Sequence, residues 1–254
     1  MSESNAGAGR ELVERLHRRL DRIEDLLEPA AGPEERPSWR QPTEGEERWA
    51  VTVAILVAVG LQLLLPDRLT IHPRWLLPAL DITLLPALAA VHPHRRFDRS
   101  SILLRGLGLS LVAAISLANA WSAVELVREL LQRTGPEGAL ALLGTAGAVW
   151  VTNVVAFALW YWEWDRGGPV ARAQATKDYP DFLFPQMQQT GISAPDWKPY
   201  FGDYLYVAFT NATAFSPTDT MPLTTWAKLL MMVQTSVSLI IVLLVVSRAV
   251  GILQ

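Results

Sequence analysis

Residues Pro199 to Thr225 read PYFGDYLYVAFTNATAFSPTDTMPLTT. Within this stretch, Tyr204 to Phe215 is apolar or small over only 12 residues. A membrane-crossing helix needs about 20 apolar residues, and a run this short suits a buried or re-entrant segment. A polar turn follows, Ser216-Pro217-Thr218-Asp219, then Met221-Pro222, then an apolar run to the C-terminus. A short helix, a turn and a full span together predict a re-entrant hairpin. Non-helical backbone at membrane depth is tolerated only where protein buries it or water bathes it.

Outward from this hairpin, the 254-residue chain is 50% hydrophobic, and its apolar residues are clustered rather than spread through one core. The clusters predict spans at Trp49–Leu65, Arg74–Val91, Ile102–Leu117, Ala139–Tyr161 and within Leu223–Leu253, with the third continuing as helix through Leu131. The fold class is therefore an all-α integral membrane protein with five spans and one re-entrant helix. Three regions follow: a polar segment 1–48, a three-helix membrane region 49–138 and a hairpin module 139–254. In the first, Val13, Leu16, Leu20, Ile23 and Leu27 repeat at heptad spacing, which predicts an amphipathic helix. Its seam suits a short coiled coil between subunits or a helix lying on a surface. Trp49, Trp75, Trp160, Trp162, Trp164 and Trp226 fall near span ends, where indole rings favour the headgroup zone. Arg40 and Arg48, Arg95, Arg96 and Arg99, and Arg166, Arg172 and Lys177 lie in three segments that five spans put on one side, which basic residues mark as cytoplasmic. Net charge is −3, so no nucleic-acid partner is implied, and the absence of cysteine removes disulfides and thiolate chemistry.

Ala208 to Thr224, AFTNATAFSPTDTMPLT, resembles the pore loop of tetrameric potassium-type channels, whose pattern is SFTTLTTVGYGDVTPLT. Phe209, Thr210, Thr213, Asp219, Pro222, Leu223 and Thr224 match without a gap, while Ser216-Pro217-Thr218 stands where the family has GYG. The resemblance implies a homotetramer in the bilayer that passes monovalent cations. It also implies a hairpin entering from outside, whereas the basic segments put it on the cytoplasmic side. The same hairpin, with DYLY before it, is similar to a family of bacterial integral membrane proteins of no known activity, which implies the bacterial plasma membrane.

In such channels a ladder of backbone carbonyls replaces the ion's hydration shell. Pro217 fixes φ and drives Ser216 toward extended geometry, so that ladder cannot form in its usual way. Hydroxyls of Thr213, Ser216 and Thr218 and the Asp219 carboxylate would remain to face an ion. A ring of four Asp219 carboxylates would favour cations without selecting potassium. The same turn is also a helix-start signature, with Ser216 as N-cap, Pro217 at N1 and Asp219 at N3. Thr224 or Thr225 suits the cap of the last helix. In the last span, Gln234, Thr235 and Ser238 suit either a pore lining or interhelical hydrogen bonds. Asp81, mid-span between two prolines, is an intramembrane acid fit for proton coupling or for packing against neighbouring helices. Gly144, Gly147 and Ala148 suit close helix packing, and Thr152 and Asn153 suit hydrogen bonds across helices. His92-Pro93-His94 lacks a third ligand, no catalytic motif is present, and neither metal, cofactor nor enzymatic activity is expected. The expectation is a weakly selective cation channel with a non-standard filter; the alternative is a non-conducting membrane scaffold or regulator with a degenerate pore loop.

Overall fold

The structure, a computed structural model, describes residues 17, 19–20, 22, 37–43, 45–46, 49–89, 100–132, 138–188, 193–213 and 219–253. The chain divides into two compact units, Met1–Arg36 and Pro37–Gln254. In the first, Leu20 is helical and exposed, and the rest of the heptad seam lies outside the described residues.

The second unit is predominantly helical. Its long elements are α1 (Trp49–Leu64), α2 (Leu76–Ala89), α3 (Ser100–Gln132), α4 (Ala139–Trp164), α5 (Phe201–Thr213) and α6 (Thr225–Leu253). Among the described residues, three helices are long and apolar enough to cross a membrane: Arg105–Gln132, Ala139–Gly167 and Thr225–Ile252. The apolar helix α1 is shorter, at 16 residues, and α2 has 14. α2 continues through Pro78 and Pro86. The third predicted span is one 33-residue helix reaching Gln132, as the apolar face through Leu131 suggested.

α4 is the hub, packed against α1, α3, α5 and α6. Successive contacts give each neighbour a direction. Asn119 and Ser116 of α3 meet Asn153 and Trp160 of α4, so those helices run antiparallel. Asp165, just past α4, meets Tyr204 near the start of α5. Tyr161 meets Gln234, and Asn153 meets Ser238, so α6 also runs against α4. It follows that α5 and α6 are parallel, and Asn211 touches Met231 and Gln234 partway along both. Two parallel consecutive helices require the chain between them to return to its starting end. The return arrives at β2 (Met221–Pro222), which pairs antiparallel with β1 (Phe182–Leu183) in the register Phe182↔Pro222 and Leu183↔Met221. Residues 214–218, with the Ser216-Pro217-Thr218 turn, lie outside the described residues.

Two apolar clusters fill the bundle. One joins Val51, Ile55 and Val59 to Val155, Leu159 and Trp162, and to Tyr204, Val207 and Ala208. The other, at the far end, joins Leu65 and Leu69 to Leu126, Leu130, Leu142, Ile241 and Val245. Gly144 and Gly147 play no close-packing role within the chain, since an added Cβ would meet nothing within 4 Å. Asn153 does hydrogen-bond across helices, whereas Thr152 bonds its own helix at the Ala148 carbonyl.

The tryptophans near the end of α4 pack against one another and against the rest of the chain. Trp162 is 1% exposed. Trp160 packs edge-on against Trp164, and Trp164 against Trp226. Their rings form an aromatic core, with Trp49 and Trp75 left exposed. The turn leaving this core needs glycine. Gly168 has φ 99° and ψ 175°, a region that side chains avoid. A Cβ there would stand 2.8 Å from the Glu163 carbonyl oxygen. Gly168→Ala should therefore cost about 1–3 kcal/mol, read as a lowered thermal midpoint in detergent, while Gly144→Ala should leave the midpoint unchanged.

Candidate functional site

Two layers of described polar groups bear on the hairpin, one at the end where α5 and α6 begin and one deeper in the bundle, while the pairs Arg68–Glu129, Arg74–Asp67 and Arg128–Glu125 lie at the opposite end. The first layer is built on Asp165, at the end of α4, which is fully buried. Its Oδ1 accepts from the backbone N–H of Asp181 at 2.9 Å and of Phe182 at 3.3 Å. Its Oδ2 accepts from the Tyr204 hydroxyl at 2.6 Å and lies 3.5 Å from Arg166 Nε. Asp181 repeats the pattern: Oδ2 accepts from the Arg166 backbone N–H at 2.7 Å and Oδ1 from the Trp226 indole at 3.0 Å. The Asp181 carbonyl accepts from the Leu223 N–H at 2.8 Å. Two carboxylates thus tie α4, the segment after it, α5 and the start of α6 into one knot.

The segment before α1 joins the same knot. Glu46 Oε1 accepts from Arg172 Nε and Nη2 at 3.0 and 2.9 Å, and Oε2 from the Trp162 indole at 2.6 Å. Arg166 Nη1 donates to the Trp39 carbonyl at 2.6 Å. Ser38 donates to the Pro195 carbonyl, and the Thr43 N–H to the Ala173 carbonyl. Segments 37–46 and 163–199 thus meet at one end, as the topology expected. The third basic segment, residues 92–101, lies outside the described residues except for Ser100 and Ser101. Arg172 lies 5.1 Å from the Tyr204 ring centroid and 5.7 Å from that of Trp162. Burial works against its charge, but the carboxylates of Glu46 and Asp165 outweigh it and keep the guanidinium protonated. Burial, reinforced by Asp165 and Glu46 against the opposing pull of Arg172, pushes the Tyr204 phenol well up, so it stays a donor to Asp165.

The deeper layer contains the residues that the sequence offered as pore lining. Gln234 and Ser238 are fully buried. Gln234 Oε1 accepts from Tyr161 at 2.6 Å and from Asn211 Nδ2 at 2.7 Å, and its Nε2 donates to the Ala208 carbonyl at 2.8 Å. The Thr235 hydroxyl donates to Asn211 Oδ1 at 3.0 Å. Ser238 accepts from Asn153, which accepts from Asn119. All three side chains bond to α4 or α5 of their own chain. The outward face of α6 is mostly apolar, with Leu229, Met232, Val233, Ile240, Leu243 and Val246 exposed beside Ser236 and Ser247.

At the hairpin itself, Thr213 ends α5 and donates to the Thr210 carbonyl of the same helix. Asp219 is exposed and stands in a bend just before β2. It is thus outside the first turn of any described helix, and α6 starts at Thr225. Ser216, Pro217 and Thr218 lie outside the described residues. The Thr224 hydroxyl is buried without a partner, so it does not cap α6 through its side chain. Asp81 is fully buried in α2, and neither carboxylate oxygen has a hydrogen-bond partner. No group of three metal-ligating side chains occurs among the described residues.

The sequence pointed to the hairpin but missed the knot beneath it. Asp181 stood out only as one of several acids in a long loop. Its partners are backbone N–H groups and an indole, which no charge motif announces. The pairing of Glu46 with Arg172 joins residues 126 positions apart. The available signal was WEWDRGG (162–168), an ion pair set among tryptophans and followed by two glycines. No family model matches this chain, and no curated protein or solved structure matches it either.

Removing one partner of a buried ion pair strands the other, at about 3–5 kcal/mol. Arg172→Met should cost that much in detergent melts, and Arg172→Met combined with Glu46→Gln should cost less than the sum of the two single changes. Asp203 gives a pH test. It caps α5 by accepting from the Tyr200 N–H at 2.9 Å. Burial, with the Glu46 charge adding to it, raises its pKa above 3.8, and the Tyr200 hydrogen bond opposes this. The folded state therefore holds this proton more tightly than the unfolded chain. The destabilisation from its charge is absent below 3.8 and complete above the raised value. Asp203→Asn keeps the cap, so it should melt at or above the wild type at neutral pH, with the advantage vanishing on acidification below 3.8.

Proposed function

We propose that this chain is a membrane-embedded scaffold or regulator that keeps a channel-like helix–return–helix unit without conducting ions. It crosses a bacterial plasma membrane with α3, α4 and α6 as full spans. The shorter α1 and α2 complete five crossings, and α5 is re-entrant. At 1.5 Å per residue, 13-residue α5 reaches roughly 20 Å, short of the ~30 Å hydrocarbon core. It runs parallel to α6, so the intervening chain turns back inside the membrane.

The observation that carries the non-conducting reading is the direction of the α6 side chains. Gln234 and Ser238 are buried, and both, with Thr235, hydrogen-bond to neighbouring helices of the same chain. The face left for an axis is mostly leucine, isoleucine, valine and methionine, interrupted by exposed Ser236 and Ser247. A largely apolar constriction resists wetting and hinders ions. One observation favours the second reading, a weakly selective cation channel formed by a homotetramer. Asp219 is exposed where the return segment ends, the position at which four copies would set an anionic ring around an axis.

Recordings of the purified protein in planar bilayers separate the two. The scaffold reading expects silent membranes across varied salt, voltage and pH, with Asp219→Asn equally silent. Cation-selective currents that shrink in Asp219→Asn would replace it with the channel reading.

A further inference from the structure

Beside the knot, α1, α4 and α5 leave a lateral groove of about 1250 Å³. A pocket for a drug-sized ligand spans roughly 300–1,000 Å³, so this space suits something longer. Its walls change along their length. One end carries Gly45, Glu46, Lys198 and Tyr200. From there Trp49, Val53 and Val57 descend on α1, Val155, Val154 and Trp150 on α4, and Leu205 and Phe209 on α5. Trp49 to Val57 covers nine residues, whose eight rises span roughly 12 Å of helix. The cavity is a polar mouth over an apolar channel, the shape of an amphiphile with one charged head.

The mouth has a sign. Glu46 is already held by Arg172 and Trp162. Asp203 accepts the Tyr200 N–H and is not among the residues that line the groove. Lys198 is exposed and pairs with no carboxylate among the described residues. Among the described residues that line the groove, Lys198 is therefore the charged side chain left without a partner. Trp49 and Tyr200 are 67% and 57% exposed at the same level, a combination that belongs to the headgroup zone. A second copy of the chain would bring a helix of 10–12 Å diameter to the groove and would leave Lys198 without an anion.

We propose that this groove is a binding site for an anionic phospholipid, with the phosphate on Lys198 and one acyl chain lying between α1 and α5 against α4. The binding would stabilise the knot by closing the seam between the segment before α1 and the start of α5. Buried methylenes of the tail supply affinity, and Lys198 supplies headgroup preference.

The test is native mass spectrometry of the full chain, released from detergent micelles doped with dioleoyl phosphatidylglycerol or with uncharged dioleoylglycerol. The wild type should retain one phosphatidylglycerol per protomer in preference to dioleoylglycerol, and this lipid should raise its melting temperature. Lys198→Glu should lose the preference about tenfold while keeping the fold. Val53→Trp, at a half-exposed wall position, should exclude both lipids without disturbing the core. Equal retention of both lipids by the wild type, or unchanged preference in Lys198→Glu, would overturn the proposal. Retention of neither lipid, with the groove protected only in an oligomer, would assign the groove to a second copy. These outcomes are independent of conduction, so the site stands or falls apart from the scaffold reading.

Discussion

The buried carboxylate of Asp165 is the constraint on which this architecture depends. A charge inside a protein is costly unless fully hydrogen-bonded. Asp165 is held by two backbone N–H groups, a phenol and a neighbouring guanidinium. The donors come from three places: Arg166 just after α4, the adjacent Asp181 and Phe182, and Tyr204 of α5. The carboxylate can be buried only if those parts converge, so it fixes where α5 starts. Asp181 then does the same for α6 through Trp226 and Leu223. With both helices launched from one place in one direction, the return between them is forced. The hairpin is a consequence of the knot rather than an independent motif.

The same knot bears on orientation. Arg166 and Arg172 counted toward the basic side of the membrane, yet they are 2% and 5% exposed. Their charges are spent on Asp165, Glu46 and carbonyl groups. They answer to folding as much as to topology, while Lys177 and Lys198 remain exposed at that end. The end of the bundle where α5 and α6 begin therefore carries fewer exposed basic residues than the sequence suggests.

Much of the bundle was legible because membrane helices announce themselves locally, by length and apolar content. The bounds read from sequence for the first and fourth spans agree closely with α1 and α4, and the short helix before the turn is α5. What was not legible was the direction of side chains within a helix that is apolar all round. On α6, hydrophobicity differs little between faces, so Gln234 and Ser238 could be assigned to either a pore or a neighbour. Their actual partners, Asn211, Tyr161 and Asn153, are ordinary residues whose significance depends on tertiary register. The knot was hidden for a related reason, since its acids and bases lie far apart in sequence and bond largely to backbone.

The central claim is that the polar face of α6 is turned into the chain and kept from water. The chain has no cysteine, so single cysteines can report on this directly. Substituted at Gln234 and Ser238 in membranes, they should resist a water-soluble thiol reagent, while a cysteine at exposed Asp219 should react. Rapid labelling at Gln234 and Ser238 from the aqueous phase would place them on a water-filled path and contradict the account.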